Sequence, residues 1–263
     1  MIKNYFKIGL KQFQKNYSFL NLVAVLISFF SFQFCIAQGE TIPVSGFQEV
    51  VISPHIEVVF QQSDEESVVI DWSKVNQEKI NIDAKFKKLH IYLDDAKIVG
   101  KNEKVIINGN ERKQSIYKGT QLRITINYSE LQEVEIRGEE HIDFKDAITV
   151  QDFDLDIYGS PKVHLKSITA EKFKVALYGE SDLEIEDGSV DFQRYRTYGT
   201  SKVIATNLKS VKTKIAAYGS NELTVYASET LKVSAFGDAN IQYTGGATVN
   251  KGLTIGDAVV KKI

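Results

Sequence analysis

A short phrase that repeats through the second half of the chain is the feature that most constrains its fold. An aromatic residue, a glycine and a small polar or acidic residue recur, as in Tyr178-Gly179-Glu180. Including weaker copies at each end, the glycines are Gly138, Gly159, Gly179, Gly199, Gly219, Gly237 and Gly256. By subtraction of these numbers, the steps between them are 21, 20, 20, 20, 18 and 19. A nearly fixed period of this length is typical of a repeat architecture.

Around each glycine, apolar and polar residues alternate. The positions two and four before the glycine, and four and six after it, are mostly apolar; around Gly159 they are Leu155, Ile157, Val163 and Leu165. Alternation with a period of two is typical of a strand with one buried face. Each repeat therefore predicts a strand, a corner and a second strand. Glycine suits the corner because it accepts positive φ at little steric cost.

One repeat cannot bury its apolar face alone, whereas like strands stacked on like strands at roughly 4.8 Å close a continuous core. We therefore predict an all-β protein, a parallel β-solenoid of about 20-residue coils with an irregular N-terminal β cap. An antiparallel meander of hairpins is the alternative. The solenoid is favoured because identical residues recur at identical positions.

The tyrosine of each repeat falls out of phase with the apolar positions, so we expect it to point outward and to form an aromatic ladder. The candidate residues are Tyr158, Tyr178, Tyr198 and Tyr218. Two roles are open. The ladder stabilises the stack by about 0.5 kcal/mol or more per pair, or it is an exposed stripe that binds sugar rings or another protein.

The start of the chain reads as an export signal. The first 37 residues contain four lysines and no acidic residue, and an apolar run from Phe19 to Phe34 precedes Cys35-Ile36-Ala37. Small residues at 35 and 37 predict cleavage after Ala37. A retained membrane anchor, for which the run is short, and lipid attachment at Cys35 are the alternatives. After cleavage no membrane span is expected.

The rest of the chain divides into two regions. Residues 38–130 contain strand patterns without the glycine period, for example at Lys88–Leu93 and Leu122–Tyr128, and we interpret them as the irregular start of the same solenoid. A separate small β domain is the alternative. Residues 131–263 are the regular coils, and Lys261 and Lys262 near their end are candidate charges against edge-to-edge pairing.

These residues carry a resemblance to a known family. The opening Phe47-Gln48-Glu49-Val50, followed by strands with repeated glycine corners, resembles the family called "putative auto-transporter adhesin, head GIN domain", from roughly Phe47 to Val260. The resemblance implies a secreted or envelope protein of Bacteroidetes-type bacteria, a β-solenoid fold and adhesion, with no catalytic residues. Many members have Ser-Gly-Ser or Gly-Ser-Gly corners, whereas this chain favours Tyr-Gly.

The sequence offers little to suggest cofactor chemistry. None of the four histidines, His55, His90, His141 and His164, pairs at metal-ligand spacing. We predict no metal and no cofactor, and phosphate-binding, dinucleotide and Gly-x-Ser-x-Gly motifs are missing. Without the first 37 residues, 28 basic residues (32 less four) face 34 acidic ones, a charge near −6. This mildly acidic balance gives no electrostatic case for nucleic acid.

Outward carboxylates form the one pattern that suggests catalysis or calcium binding. Asp154 and Asp156 flank an apolar residue, and a second acidic group follows one coil later; its members are Asp182, Glu184 and Glu186. Stacked acids could hold calcium or cleave a sugar. Cross-strand pairing with lysines explains them without catalysis. The lysines in question are Lys162, Lys174 and Lys202.

The function that these observations favour is binding without catalysis. We expect an exported envelope protein, located in the periplasm, at the outer membrane or outside the cell, that acts as an adhesin-like or scaffold solenoid. Its expected partner is a glycan or an envelope protein. The alternatives are a carbohydrate-binding module that uses the tyrosine stripe and a β-helix polysaccharide lyase or hydrolase. The last is disfavoured because short returns leave little room for a deep pocket.

Overall fold

The computed structural model describes residues 39–44, 46–107 and 110–263. The predicted signal peptide, residues 1–37, lies outside these residues. The first part of the described chain consists of strands and one short 3₁₀ helix. They are β1 Glu40–Pro43, β2 Glu49–Ile52, β3 Ile56–Gln62, β4 Ser67–Ser73, the 3₁₀ helix Gln77–Lys79, β5 Ile80–Lys85, β6 Lys88–Leu93, β7 Asn102–Ile107, β8 Asn110–Ser115 and β9 Leu122–Tyr128.

The second part consists of longer strands that run into and out of the glycine corners. They are β10 Glu133–Gly138, β11 His141–Thr149, β12 Asp152–Gly159, β13 Lys162–Gly179, β14 Asp182–Gly199, β15 Lys202–Ala205, β16 Leu208–Gly219, β17 Asn221–Tyr226, β18 Thr230–Phe236, β19 Ala239–Thr244, β20 Thr248–Ile255 and β21 Ala258–Lys262. Neighbouring coils pair in parallel throughout this part. The predicted parallel β-solenoid is confirmed, with about six turns, and the meander alternative is wrong for these coils.

The glycines align in one column at the edge of the stack. Gly138, Gly159, Gly179, Gly199 and Gly219 pair in register with one another. All seven predicted corners have φ between 98° and 130°. A Cβ on Gly199 would overlap the carbonyl oxygen of Gly179, one coil back. The coils therefore approach so closely at this edge that only glycine fits.

The first corner differs, because it contains no glycine. Strands β2 and β3 pair in parallel with β10 and β11, so they belong to the stack. The turn between them is Ser53-Pro54-His55, in which His55 takes the left-handed φ of 74°. Strands β6 and β9 add one more rung next to them, again in parallel. The solenoid therefore extends into the region without the glycine period.

The N-terminal end of the stack is covered by antiparallel strands. Strand β5 pairs with β6, β4 with β9, and β1 with β4, all antiparallel. The β7–β8 hairpin stands in the long connection between β6 and β9. Antiparallel pairing gives the backbone groups of the β6 and β9 rung hydrogen-bond partners, so this parallel rung is not an open edge.

The interior is an apolar column with one polar section. Phe60 stacks on Phe144 with ring centroids 4.4 Å apart. Farther along, the buried Gln193 donates from Nε2 to Thr213 Oγ1 at 2.9 Å and to the Tyr226 carbonyl oxygen at 2.8 Å. The hydroxyl of Tyr195 donates to Gln193 Oε1 at 2.9 Å. Because the amide has its partners, a polar side chain is accommodated inside the core.

Substitution of a corner glycine tests the register of the stack. Gly199→Ala should lower the free energy of unfolding by about 3 kcal/mol or more, since its Cβ meets backbone and its φ is strained. Gly119 is the matched control: it also has positive φ, 60°, but nothing lies within 4 Å of a Cβ built there. Gly119→Ala should cost only about 1–2 kcal/mol. Equal shifts in urea unfolding would contradict close approach at the corners.

Candidate functional site

The four predicted tyrosines form a continuous ladder on the outer face. Tyr158, Tyr178, Tyr198 and Tyr218 lie in register, and Phe236 extends the row. Successive ring centroids are 4.8 or 4.9 Å apart, and their planes differ by 5° or less. Each tyrosine is 36–37% exposed. The outward orientation expected from the alternation is found.

Stacking decides which part of each tyrosine is available to a ligand. The centroid spacing equals the spacing of neighbouring strands, so each inner ring is covered on both faces by its neighbours. What faces solvent is a row of ring edges and hydroxyl groups. Burial, with the nearby carboxylates of Asp156 and Glu135, raises the pKa of Tyr158, so its hydroxyl keeps its proton and can donate.

A column of cations runs parallel to the ladder on the same face. Each member stands four residues before the aromatic of its coil; the members are Lys174, Arg194, Lys214 and Lys232, paired in register. Residues four apart in a strand point to the same side. This column was not predicted from the sequence, although its positions recur with the period of the glycines and could have been found from it.

The acidic residues do not form the stacked cluster considered from the sequence. Asp154 lies in register with Lys174, whose Nζ is 2.8 Å from its Oδ1. The second acidic group, which begins at Asp182, lies on the strand after the corner. There Asp182 is in register between Lys162 and Lys202. Pairing with lysines therefore accounts for Asp154 and Asp182, as cross-strand pairing predicts, whereas Asp156 lies in register with Glu135.

A cleft of about 750 Å³ adjoins the ladder at Tyr158. Its lining includes Ile98, Val99 and Tyr117 from the long connection after β6, opposite the first glycine corners. The short regular returns in the sequence predicted little room for a pocket. That expectation holds for the regular coils, whereas the cleft depends on the insertion between β6 and β9.

Two polar side chains of this cleft have fixed orientations. His55 Nδ1 lies 3.0 Å from the Gly119 carbonyl oxygen, which can only accept, so Nδ1 carries a proton. The same nitrogen is 3.8 Å from Glu140 Oε1. Glu140 is buried, and its Oε2 accepts a hydrogen bond from the backbone N–H of Glu139 at 3.0 Å. Both groups are held by contacts within the fold.

The remaining histidines serve local contacts. His90 lies 3.0 Å from Ser53 Oγ, and burial and the charges of Lys97 and Arg137 lower its pKa. His164 lies between two carboxylates: Nδ1 is 2.7 Å from Asp143 Oδ1 and Nε2 is 3.0 Å from Glu186 Oε1. Among the described residues, no group of His, Cys, Asp and Glu has the arrangement of a metal site.

The sequence of residues 46–247 matches the model of a family described as "Putative auto-transporter adhesin, head GIN domain". The chain belongs to this family. The resemblance noted from the corner motifs is thereby confirmed. No curated protein matches the sequence. The head GIN family is one of adhesins by description, which indicates an extracellular or envelope location.

Several solved structures share the head GIN fold. A "putative adhesin" from Bacteroides fragilis has a TM-score of 0.72 at 20% identity, over 85% of this chain and 95% of that one. A "putative adhesin" from Parabacteroides distasonis has a TM-score of 0.63 at 20% identity, over 86% and 96%. A "putative lipid binding protein" from the same species has 0.61 at 19% identity, over 86% and 96%. At these identities the likeness establishes the fold alone.

Within the residues that the structure describes, no helix has the length and apolar character needed to cross a bilayer.

The ion-paired histidine gives a pH dependence that can be measured. Burial opposes charge on His164, but hydrogen bonds to Asp143 and Glu186 outweigh it and raise its pKa. A raised pKa in the folded state stabilises the protein fully below the unfolded value of about 6.5, and this stabilisation is lost as pH rises through the folded pKa. Wild type should therefore lose stability over this interval relative to His164→Gln.

The comparison requires urea unfolding of both proteins across this pH interval, with His141→Gln as the control. His141 is exposed and lies on the neighbouring coil. The control should follow the wild-type profile. Parallel profiles for wild type and His164→Gln would show that the two carboxylates do not stabilise the imidazolium.

Proposed function

We propose that this head GIN protein is exported to the cell envelope or beyond and acts by binding, without catalysis. The observation that carries the proposal is the ladder from Tyr158 to Phe236, which holds ring edges and hydroxyls at intervals of 4.8–4.9 Å on a sheet face. A surface fixed by backbone pairing loses little conformational entropy on binding, which favours recognition of an extended partner. The description of the family as adhesins supports the same conclusion.

The carbohydrate-binding alternative takes a defined form on this surface. A sugar ring commonly packs on the face of an aromatic side chain, but the inner faces of Tyr178 and Tyr198 are already covered by neighbouring rings. Tyrosine hydroxyls remain as hydrogen-bond donors and acceptors. We therefore propose that a glycan contacts the ladder through these hydroxyls and through the ring edges.

A polysaccharide-cleaving activity has less support. An acid and base pair for glycoside hydrolysis needs two carboxyl groups that face one bond. Here Asp154 is bound to Lys174, and Asp182 lies on the strand beyond the glycine corner. Turnover of a polysaccharide that is lost in Asp154→Asn or Asp182→Asn would overturn the non-catalytic proposal.

The role of the hydroxyls can be separated from that of the stack. In the double variant Tyr178→Phe/Tyr198→Phe the rings remain, as Phe236 already does in the native ladder. The unfolding midpoint should stay close to that of wild type. Binding to a glycan array and to intact bacterial envelopes should fall by roughly tenfold, since two hydrogen bonds at a binding surface are lost.

Tyr178→Ala serves as the complementary variant, because it breaks the stack as well as removing a hydroxyl. It should reduce stability by about 1–3 kcal/mol through two lost ring contacts. Full binding by the double phenylalanine variant, together with a destabilised alanine variant, would assign the ladder to stability alone. That result would end the proposal that its hydroxyls bind a ligand.

A further inference from the structure

We propose that the face carrying the tyrosine ladder binds an acidic polysaccharide, a sugar polymer with carboxylate or sulfate groups, through the parallel column of cations. This inference rests on the proposed binding function and names the chemistry of its ligand. Lys174, Arg194, Lys214 and Lys232 stand directly above one another on four consecutive coils. Like charges placed opposite one another across strands are destabilising, so the stack alone does not explain this arrangement.

Three of these four cations have no ion-pair partner among the described residues. Lys174 is bound to Asp154 at 2.8 Å. Arg194, Lys214 and Lys232 make no close ion pair in the described part of the chain, although the charge of Arg194 acts on the nearby Asp156. Arg194 lies in register with Lys214, and a planar guanidinium beside further cations is suited to a carboxylate or sulfate group.

The space between the two columns is shaped like a shallow trough. The middle column, two residues from each side, contains Ala176, Arg196, Ala216 and Ser234 in register. Three of these side chains are short, and four strand residues place the aromatic and cationic columns about 13 Å apart. A linear polymer lying along the solenoid axis would meet cations on one side and tyrosine hydroxyls on the other. Arg196 adds a cation between them.

The chemistry of the face favours a polysaccharide over other polyanions. Single-stranded nucleic acids bind by stacking bases on exposed aromatic faces, whereas the faces of the inner tyrosines here are covered. A bilayer surface is usually bound through apolar side chains that enter the acyl region, and the trough contains only small residues and charges. Hydroxyl groups of the tyrosines match the hydroxyl groups of sugars. The acids Glu133 and Asp154, which continue the column, confine the positive stretch to four coils.

The test compares matched charged and neutral polymers. The probes are polygalacturonate with its methyl-esterified form, and dextran sulfate with dextran, measured by calorimetry on the chain from residue 38 onward, the mature form after the expected cleavage. At least one acidic polymer should bind, and its neutral counterpart should bind at least about tenfold more weakly, as expected when charge-assisted contacts are lost. Raising the salt from about 50 to 500 mM should weaken the charged complex.

The variant Arg194→Gln/Lys214→Gln should reduce binding of the acidic polymer by at least about tenfold. The control Lys162→Gln/Lys202→Gln removes the same charge from the strands after the corner and should bind like wild type. Equal losses of binding in both variants would show that only the net charge of the protein matters, and would overturn the proposal. So would stronger binding of single-stranded DNA, or of vesicles containing phosphatidylglycerol, that depends on the same two residues.

Failure of the acidic-ligand proposal can be distinguished from failure of the proposed binding function. Neutral and acidic polymers that bind equally, with binding lost in Tyr178→Phe/Tyr198→Phe but kept in Arg194→Gln/Lys214→Gln, would overturn the acidic ligand and leave the proposed binding function standing. Absence of binding to all four polymers would overturn the acidic polysaccharide proposal. If the double phenylalanine variant then also keeps full binding to intact envelopes, the tyrosine surface proposed for binding fails with it.

Discussion

The structure depends on parallel pairing of each coil with the next in unchanged register. That register is possible at the corner edge only because the glycines from Gly159 to Gly256 let neighbouring backbones touch where a Cβ would overlap a carbonyl oxygen. Hydrogen bonds between coils cross the same edge, as when the backbone N–H of Thr200 donates to the Gly179 oxygen at 2.9 Å. One misplaced corner would shift every side chain of the following coil.

A fixed register also turns each sequence position into a column on the surface. The same register produces a favourable column of stacked rings and an unfavourable column of cations. Each of these columns lies two residues from the middle column of the trough. An aromatic column contributes to stability through ring contacts, whereas like charges in register from Lys174 to Lys232 oppose it. A column that stability does not explain is where a binding function is best sought, and here it lies beside the ladder.

Much of the fold could be predicted because one constraint, the repeat, is visible in the sequence as regularly spaced glycines and as alternation of apolar and polar residues. The strands Lys88–Leu93 and Leu122–Tyr128 were also predicted, and both have those bounds in the structure. Their pairing was not, since strand patterns do not encode partners: β5 and β4 fold back antiparallel on them. Residues 38–130 were predicted to begin the same solenoid, but the glycine period did not mark the corner at His55, and the cleft was missed because it depends on an insertion.

The sequence by itself determined the parallel stack, its glycine edge and the outward tyrosines, because a local period fixes which positions repeat along the axis. The sequence also contained the cation column, but the role of these cations depends on which side chains lie beside them in the folded protein. Only the tertiary structure decided that the tyrosine faces are covered while their edges are free, that Lys174 is paired and Arg194 is not, and that antiparallel strands close the N-terminal end. These properties depend on distances between side chains from different coils, and spacing along one chain does not specify them.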